Sequence, residues 1–452
     1  MSKKAQFATK IGLVAATVGS AVGLGNVWRF PAETQSNGGA AFLLLYVGCV
    51  LLLGIPVMLA EFSLGRAGRS DAIGVFRRLS PGKAWWIVGA LAILTSYLIL
   101  SYYMVVAGWT LEYLFETLSG GLYSDARGAG SGAVFAWKMA DFISSDTEPL
   151  VFTVLVIALN AAILIAGVQK GIERLSNVLM PLLFLILLAL CAVTLRLPGA
   201  ADGLEFFLAP DFSKITPAVF INALGQAFFS LSLGMGILVT YAAYYPSHTK
   251  LGRTAGIVSL MSLLVAVLMG LVIFPAVKTF GLDRESLEGT TLVFVTLPEV
   301  FSRLPLSELW SALFFVLLFV AAVTSTVSIA EVSVSCLQDR FGMSRRKAVL
   351  VSLTPLLLFS ALNSLSFGSL SEFRIMGMTI FEFLDNFTTN VLLPVVAMGV
   401  CVYMGWFSPR GLLARELGNY GSHRSRVTGA VLFIIRYVAP LLIALIMISN
   451  FV

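Results

Sequence analysis

The chain contains 452 residues, of which 58% are hydrophobic and only 12% are charged, and its mean hydropathy is +0.92. This composition lies far outside the range of soluble globular domains and indicates a polytopic membrane protein. The net charge of +6 does not indicate a nucleic-acid partner, because the basic residues lie in short loops between apolar segments. The only histidines, His248 and His423, also lie in loops, which argues against a zinc site or histidine-based catalysis.

Eleven apolar segments are predicted to cross the membrane, since about 20 apolar residues cover roughly 30 Å of hydrocarbon. They cover residues 10–36, 39–67, 84–118, 149–167, 174–195, 217–243, 254–280, 306–339, 347–363, 376–404 and 428–450. A cytoplasmic N-terminus puts 20 of the 30 basic residues on the inner side, 8 outside and 2 within spans. The positive-inside rule therefore favours this orientation, and an odd number of spans then places the C-terminus outside.

The first span contains a segment that a continuous helix does not tolerate well. Residues 19–31 read Gly-Ser-Ala-Val-Gly-Leu-Gly-Asn-Val-Trp-Arg-Phe-Pro, and each glycine costs about 1 kcal/mol relative to alanine in a helix interior. A charged arginine at membrane depth also requires protein or water around it. We therefore predict a break in this helix. The backbone groups that a break leaves unpaired need a polar partner, such as an ion or a zwitterion.

The sixth span is interrupted in the same way. Residues 228–236 read Phe-Phe-Ser-Leu-Ser-Leu-Gly-Met-Gly, again glycines with hydroxyl groups inside an apolar helix. For one such segment, close packing of helices on small residues is the simpler explanation. Two in corresponding positions favour a binding site between inverted repeats. We predict one transmembrane domain over residues 1–452, with a first repeat at 10–195, a second at 217–404 and an additional helix at 428–450.

Several motifs resemble the neurotransmitter:sodium symporter family, specifically its leucine-transporter-like bacterial amino-acid transporters. Besides the two breaks, they are Asn37-Gly-Gly, Gly54-Ile-Pro-Val-Met-Leu-Ala-Glu, Gly108-Trp-Thr, Lys170-Gly-Ile-Glu-Arg and Thr324-Ser. The resemblance covers nearly the whole chain. It implies a sodium-coupled amino-acid symporter of the bacterial inner (plasma) membrane that works by alternating access, and a fold of eleven helices with a 5+5 inverted repeat.

The resemblance implies two sodium sites built from oxygen ligands. One uses the carbonyls of Gly19, Val22 and Ala321 and the hydroxyls of Thr324 and Ser325. The other uses the carbonyl of Ala21, the side chains of Asn26, Ser230 and Ser262, and the carboxylate of the substrate. Because the substrate carboxylate is one of the ligands of this second sodium ion, ion and substrate would bind together.

The substrate site is implied in the same way. The carboxylate would meet the backbone N–H groups of Leu24 and Gly25 and the Tyr103 hydroxyl, and the ammonium would meet carbonyls at the two breaks. Gly23 stands where monoamine carriers of the family have an aspartate, so the substrate must bring its own carboxylate. The remaining pocket residues are uncharged, which favours a neutral hydrophobic or aromatic amino acid. They are Ser20, Ala21, Ile99, Phe229, Ser230, Ser232, Met235, Ser325 and Ile329.

Gates are also implied at both ends of the pathway. On the outside, Arg29 and Asp385, with Gln226 nearby, resemble the pair that closes over the substrate. On the inside, the corresponding pairs are Lys4 with Asp339 and Phe7 with Tyr244.

The seventh span departs from the family pattern, because residues 254–277 contain no acid. Two interpretations follow. Either chloride supplies the missing negative charge, or that sodium site is weak and transport depends on the other one. The residues that resemble chloride donors of chloride-dependent relatives are Tyr46, Gln226, Ser230 and Ser262.

The main alternative to a symporter is a substrate-gated conductance or an amino-acid sensor on the same scaffold. Counterflow exchange distinguishes a carrier from both. An enzyme is not expected, because Glu61, Glu331 and Glu382 lack an accompanying nucleophile, base and metal-ligand set. These acids are expected to be buried and paired. Membrane lipid and a small amino acid are the expected partners, with the oligomeric state left open.

Overall fold

The computed structural model describes residues 6–124, 133–282, 289–420 and 427–449. Lys4 lies outside these ranges. Within them the backbone is helical apart from turns and one isolated bridge between Ile375 and Met378. The helices are α1 (Lys10–Ala21), α2 (Gly25–Ser36), α3 (Ala40–Gly68), α4 (Ala72–Leu79), α5 (Trp86–Ser119), α6 (Ala133–Ser144), α7 (Glu148–Ile165), α8 (Val168–Thr194), α9 (Ala200–Leu208), α10 (Pro217–Ser230), α11 (Ile237–Ala243), α12 (Leu251–Phe280), α13 (Gly289–Ser302), α14 (Ser307–Phe341), α15 (Arg345–Leu365), α16 (Ile380–Phe407), α17 (Leu412–Leu417) and α18 (Thr428–Ser449).

The described helices account for eleven spans. Nine of them are individually long and apolar enough to cross a membrane, and α1 with α2 forms a tenth span that is bent by 54°. The eleventh consists of α10 and α11, which are separated by residues 231–236. The predicted fold class, an all-helical bundle of about eleven spans with broken first and sixth helices, is confirmed.

The first break packs closely against the side chains around it. After α1, Val22 is extended with φ −99° and ψ 101°, and the chain turns before α2. A Cβ atom on Gly23 would lie 2.5 Å from the Ser325 hydroxyl and 2.8 Å from that of Tyr103. Any larger residue at this point of the turn therefore requires the Ser325 and Tyr103 side chains to shift.

The second break contains three residues with left-handed backbone conformation. Gly234 and Gly236 have φ of 78° and 71°, as glycine allows, but Ser232 also has φ of 54°. A non-glycine residue in this region is strained by about 1–3 kcal/mol and persists only when its surroundings hold it. A hydrogen bond from Ser232 to the first break, described below, is one such restraint.

The centre of the bundle is formed by α14 and α5. In α14, 78% of the most apolar window is buried inside the protein, against 28% in α18. The four cysteines are buried and free, as expected for small core residues. The helix α14 thus lies in the interior of the bundle, next to the site described below, whereas α18 lies at the periphery.

Several helices between the spans were not predicted. The segment between the seventh and eighth predicted spans contains α13, and α4, α6, α9 and α17 are further short helices between predicted spans. The tenth span begins at Ile380 rather than 376 because Thr379 and Glu382 form a reciprocal cap at its start.

Candidate functional site

The two helix breaks face each other and bond to each other directly. The Ser232 hydroxyl donates to the Ser20 carbonyl at 2.8 Å, and the Gln226 amide donates to the Gly25 carbonyl at 2.9 Å. The Ser20 carbonyl lies in the last turn of α1, where carbonyls lack partners within the helix, whereas the Gly25 carbonyl also accepts from the Phe30 N–H of its own helix. The site between the breaks is therefore held by side chains of the sixth span on the backbone of the first.

A small cavity lies between the breaks, α5 and α14. Eleven of the twelve predicted substrate residues line it, together with Gly23 and Asn26, whereas Leu24 lines a separate outer cavity. The residues of this central cavity are Ser20, Ala21, Gly23, Gly25, Asn26, Ile99, Tyr103, Phe229, Ser230, Ser232, Met235, Ser325 and Ile329. None of these side chains carries a charge. Its volume of about 20 Å³ is close to the minimum for one water molecule, so an amino acid requires the lining side chains to move.

Tyr103 and Phe229 separate the central cavity from the outer one, because both residues line both cavities. The Tyr103 hydroxyl accepts a hydrogen bond from the Leu24 N–H at 2.9 Å. The Leu24 N–H is a predicted donor to the substrate carboxylate, and in this structure it is directed at Tyr103 instead. A carboxylate that binds Leu24 must displace Tyr103 or share the donor with it.

Asn26 presents an unpartnered oxygen to the site. Its Nδ2 donates to both the carbonyl and the hydroxyl of Ser262 at 2.8 Å, which fixes the amide plane. Its Oδ1 is buried and has no hydrogen-bond partner among the described residues. An unsatisfied buried acceptor costs about 1–3 kcal/mol, and because Asn26 lines the central cavity, this oxygen is available to a ligand there, such as a cation.

A second group of oxygens lies where the end of α1 meets α14. The Ser325 hydroxyl is 3.5 Å from the Val22 carbonyl, and the Thr324 hydroxyl lies 3.1 Å from the carbonyls of Val320 and Ala321. These atoms are neutral oxygens, the ligand type that hard cations prefer. Among the described residues, no group of three or more His, Cys, Asp or Glu side chains is arranged to hold a metal ion.

Of the four residues that resemble chloride donors, three are linked. Tyr46 and Ser230 share a hydrogen bond of 2.8 Å, and the Ser262 hydroxyl lies 3.4 Å from the Ser230 carbonyl. Gln226 differs, because its N–H is directed at Gly25 and its unpartnered atom is the acceptor Oε1. One of its two N–H donors is therefore used in this arrangement, and its role toward chloride stays a prediction.

The outer cavity has a volume of about 670 Å³ and contains both residues of the predicted outer gate. Arg29 does not pair with Asp385 here. Its Nε lies 3.7 Å from Glu33, one turn along α2, and its guanidinium lies 4.6 Å from the centre of the Phe229 ring. Asp385 instead accepts a hydrogen bond from Thr389 at 3.4 Å. The two residues of the predicted outer gate are therefore not paired in this structure.

The opposite end of the bundle is closed by aromatic residues. The Phe7 ring lies 6.2 Å from that of Tyr244, and the Phe7 N–H donates to the Tyr244 carbonyl at 3.3 Å. Two further tyrosines, Tyr241 and Tyr245, surround Phe7 at 5.8 and 6.2 Å. The predicted partner Asp339 accepts from the Asp71 N–H at 2.7 Å.

Two carboxylates that the sequence did not link to the site stabilise this closed end. Glu173 of α8 accepts from the N–H groups of Ala8 and Thr9 at 2.8 and 3.0 Å and from the Thr9 hydroxyl at 2.6 Å. Glu331 of α14 accepts from Tyr244 and pairs with Arg345 at 2.6 Å. Only the motif that contains Glu173 indicated its importance in the sequence.

The three intramembrane acids therefore differ. Glu331 is buried and paired, as predicted. Glu61 is buried and accepts from the Gly234 N–H at 2.8 Å, but it forms no ion pair among the described residues. The prediction that Glu382 is buried is wrong, because its side chain is 54% exposed. Glu382 caps α16 and lies 3.6 Å from Arg374.

An apolar bundle in which two broken helices face each other, with an opening at one end and closure at the other, defines a secondary transporter. The model of the sodium:neurotransmitter symporter family matches residues 4–126 and 137–452, and the chain belongs to this family. The family consists of transporters and not of enzymes. This confirms the resemblance read from the sequence and the expectation that the chain is not an enzyme.

Individual relatives match over almost the full chain. A Bacillus subtilis protein, the uncharacterised sodium-dependent transporter YhdH, is 37% identical over 99% of this chain and 98% of its own length. An uncharacterised sodium-dependent transporter of Haemophilus influenzae is 36% identical over 98% and 97%. The crystal structure of MhsT in complex with L-phenylalanine covers 99% of this chain and 100% of its own, with 39% identity and a TM-score of 0.90. The chain is thus a sodium-coupled multi-pass membrane transporter.

Proposed function

We propose that this protein imports neutral, hydrophobic or aromatic L-amino acids together with sodium by alternating access. The observation that carries the proposal is the unpartnered Asn26 Oδ1 on the wall of an uncharged cavity between two helix breaks. This oxygen suits a cation, and the N–H groups at the break suit a carboxylate. The similarity to MhsT, whose structure contains L-phenylalanine, supports the substrate class.

Coupling arises because ion and substrate complete each other's site. A sodium ion at Asn26, Ser230 and Ser262 lacks a negative ligand from the chain, since α12 carries no acid between residues 254 and 277. The substrate carboxylate supplies one. The second ion, at Val22, Thr324 and Ser325, would connect α1 to α14 and stabilise the arrangement of the first break.

The size of the site favours an amino acid over a monoamine. A monoamine needs a carboxylate from the protein, and position 23 is where the family provides it. Here a Cβ atom at Gly23 would contact Ser325 and Tyr103 at under 3.0 Å. An acid at this position would have to displace both side chains, and with glycine here the substrate must carry the charge itself.

The open outer cavity and the closed inner end support the transport cycle. Substrate and sodium would reach the central cavity past Arg29 and between Tyr103 and Phe229. Closure would bring Arg29 and Asp385 together above the substrate. Opening on the inner side would separate Phe7 from Tyr244 and release both ligands to the cytoplasm, given the N-inside orientation of a bacterial inner-membrane protein.

The number of ions sets the possible accumulation. With a potential of about 100 mV and a tenfold gradient, each sodium contributes roughly 2.3 plus 1.4 kcal/mol. One ion then supports accumulation of a few hundred-fold, and two support about 10⁵-fold. We favour two sodium sites with chloride stimulation, because the Tyr46, Ser230 and Ser262 hydroxyls lie together next to Asn26.

Uptake by proteoliposomes tests the proposal. We expect uptake of labelled L-phenylalanine in sodium and none when choline replaces it, and faster uptake in sodium chloride than in sodium gluconate. Identical uptake rates in sodium chloride and sodium gluconate would refute chloride stimulation. Counterflow, in which internal unlabelled substrate drives labelled substrate inward, distinguishes a carrier from a conductance or a sensor, since neither of these shows it. Equal substrate binding in sodium and choline would refute sodium coupling.

A further inference from the structure

Arg436 lies in the lipid-facing helix α18 and has no part in the transport site. Five apolar residues, 431–435, precede it, and the helix remains apolar beyond it. An arginine within a membrane span is costly unless it faces protein, water or the interface, and such a residue marks a functional group with a partner. The partner of Arg436 is therefore of interest.

The protein satisfies only part of the guanidinium. The Arg436 Nε donates to the Gly405 carbonyl at 2.6 Å, close to the end of α16, where carbonyls lack partners within the helix. The guanidinium also lies 5.2 Å from the centre of the Trp406 ring. Among the described residues, no carboxylate pairs with Arg436 and no acceptor bonds its two Nη groups. An arginine carries five N–H donors, so four of them remain for an external acceptor.

Exposed aromatic residues surround this arginine and define the depth at which it lies. The Tyr437 ring lies 5.3 Å from Trp406 and 5.5 Å from Phe433, and Phe407 lies 4.8 Å from Trp85. We call Trp85, Trp86, Trp406, Phe407, Phe433 and Tyr437 the inner aromatic band. Tryptophan and tyrosine concentrate at the headgroup level of a bilayer. Arg436, which is partly exposed beside this band, therefore reaches the headgroup layer.

The band is accompanied by positive charge. Arg77 stacks on Trp86 at 5.1 Å and, like Arg436, forms no ion pair with a described carboxylate. On the C-terminal side of the band, α18 presents an exposed apolar face to the lipid, with Leu441 and Ile448 exposed by 70% and 61%. This surface thus has cationic hydrogen-bond donors at headgroup depth, and the apolar face of α18 can contact the acyl chains of a lipid.

We propose that Arg436 and the inner aromatic band form a binding site for an anionic phospholipid. Two N–H groups of the guanidinium fork match two phosphate oxygens, a pairing that is stronger and more directional than that of an ammonium. The Trp406 and Tyr437 rings would lie against the glycerol region. A zwitterionic headgroup brings its own cation next to Arg436, so an anionic lipid is favoured over phosphatidylcholine.

Native mass spectrometry of the purified full chain, titrated with phosphatidylglycerol or phosphatidylcholine, tests this site. We expect phosphatidylglycerol to bind about tenfold more tightly than phosphatidylcholine to the wild type, and Arg436→Gln to abolish the difference. Arg436→Lys, which keeps the charge but not the fork, should retain part of it. Arg346→Gln, a loss of an exposed arginine at the start of α15, is the control and should behave as wild type.

Other results would overturn the proposal. Equal binding of the two lipids by the wild type, or equal preference in wild type and Arg436→Gln, would leave Arg436 as a cap of α16 alone. Displacement of the lipid by millimolar glycerol phosphate would identify a soluble phosphate ligand instead. If Arg436→Gln does not fold, tryptophan fluorescence of the wild type and of Trp406→Phe provides the test. Brominated phosphatidylglycerol should quench wild-type fluorescence more strongly than brominated phosphatidylcholine does, and this difference should be smaller in Trp406→Phe. Equal quenching by the two lipids would refute the site.

Discussion

Replacing Asn26 by alanine removes an oxygen that lies on the wall of the central cavity and has no partner among the described residues. Oδ1 would serve the ion, and Nδ2 makes two hydrogen bonds of 2.8 Å to Ser262. Losing an interaction with a charged group costs about 1.5–3 kcal/mol, which corresponds to roughly 10- to 150-fold in affinity. We expect the sodium concentration for half-maximal binding of labelled L-phenylalanine to rise by this factor in Asn26→Ala.

The chain contains a matched control for this substitution. Asn160 in α7 is also fully buried, with Nδ2 bonded to the Val156 carbonyl at 2.9 Å and Oδ1 unpartnered, but it lines neither the central nor the outer cavity. Asn160→Ala should lose comparable stability and leave the sodium dependence within about twofold of wild type. A scintillation proximity assay over a range of sodium concentrations measures both variants. Equal shifts in the two, or none in Asn26→Ala, would refute the assignment of Oδ1 to the ion.

Three further predictions concern other parts of the structure. Thr324→Ala should weaken the sodium dependence of binding several-fold while leaving the ranking of amino acids unchanged in competition assays, because the hydroxyl meets only backbone oxygens. Gly23→Asp should abolish uptake, since even a Cβ at this position lies 2.5 Å from the Ser325 hydroxyl and a second carboxylate repels that of the substrate; normal kinetics would exclude this position from the site. Glu331→Gln should lower stability by about 3 kcal/mol, because it leaves the buried charge of Arg345 without its partner, and an unchanged melting temperature would contradict this.

The sequence was sufficient for the features that depend on local composition. Glycines at the two breaks and continuous apolar spans are local signals, so the fold class and the family followed from them. Eleven of the twelve predicted substrate residues line one cavity because the resemblance aligns both breaks together. The roles of these residues in binding remain predictions.

Contacts between distant parts of the chain were not accessible in the same way. Glu173 bonds to Ala8 and Thr9, about 165 positions away, and no periodicity indicates such a pair. Arg29 lies next to Glu33, which is four positions along the same helix. Glu33 therefore competes with the distant Asp385 as the partner of Arg29. The state of the gates depends on conformation, and a single sequence encodes all states of the cycle at once.

The hydrogen bond from Leu24 to Tyr103 has a consequence for the speed of the carrier. Since this N–H is satisfied before a substrate arrives, a carboxylate that replaces the hydroxyl gains only the difference between two bonds, about 1 kcal/mol. The same tyrosine is ready to take the donor back when the ligand leaves. Such an exchange limits the residence time of the substrate, and a carrier that must release its cargo in every cycle benefits from a site that never holds it too tightly.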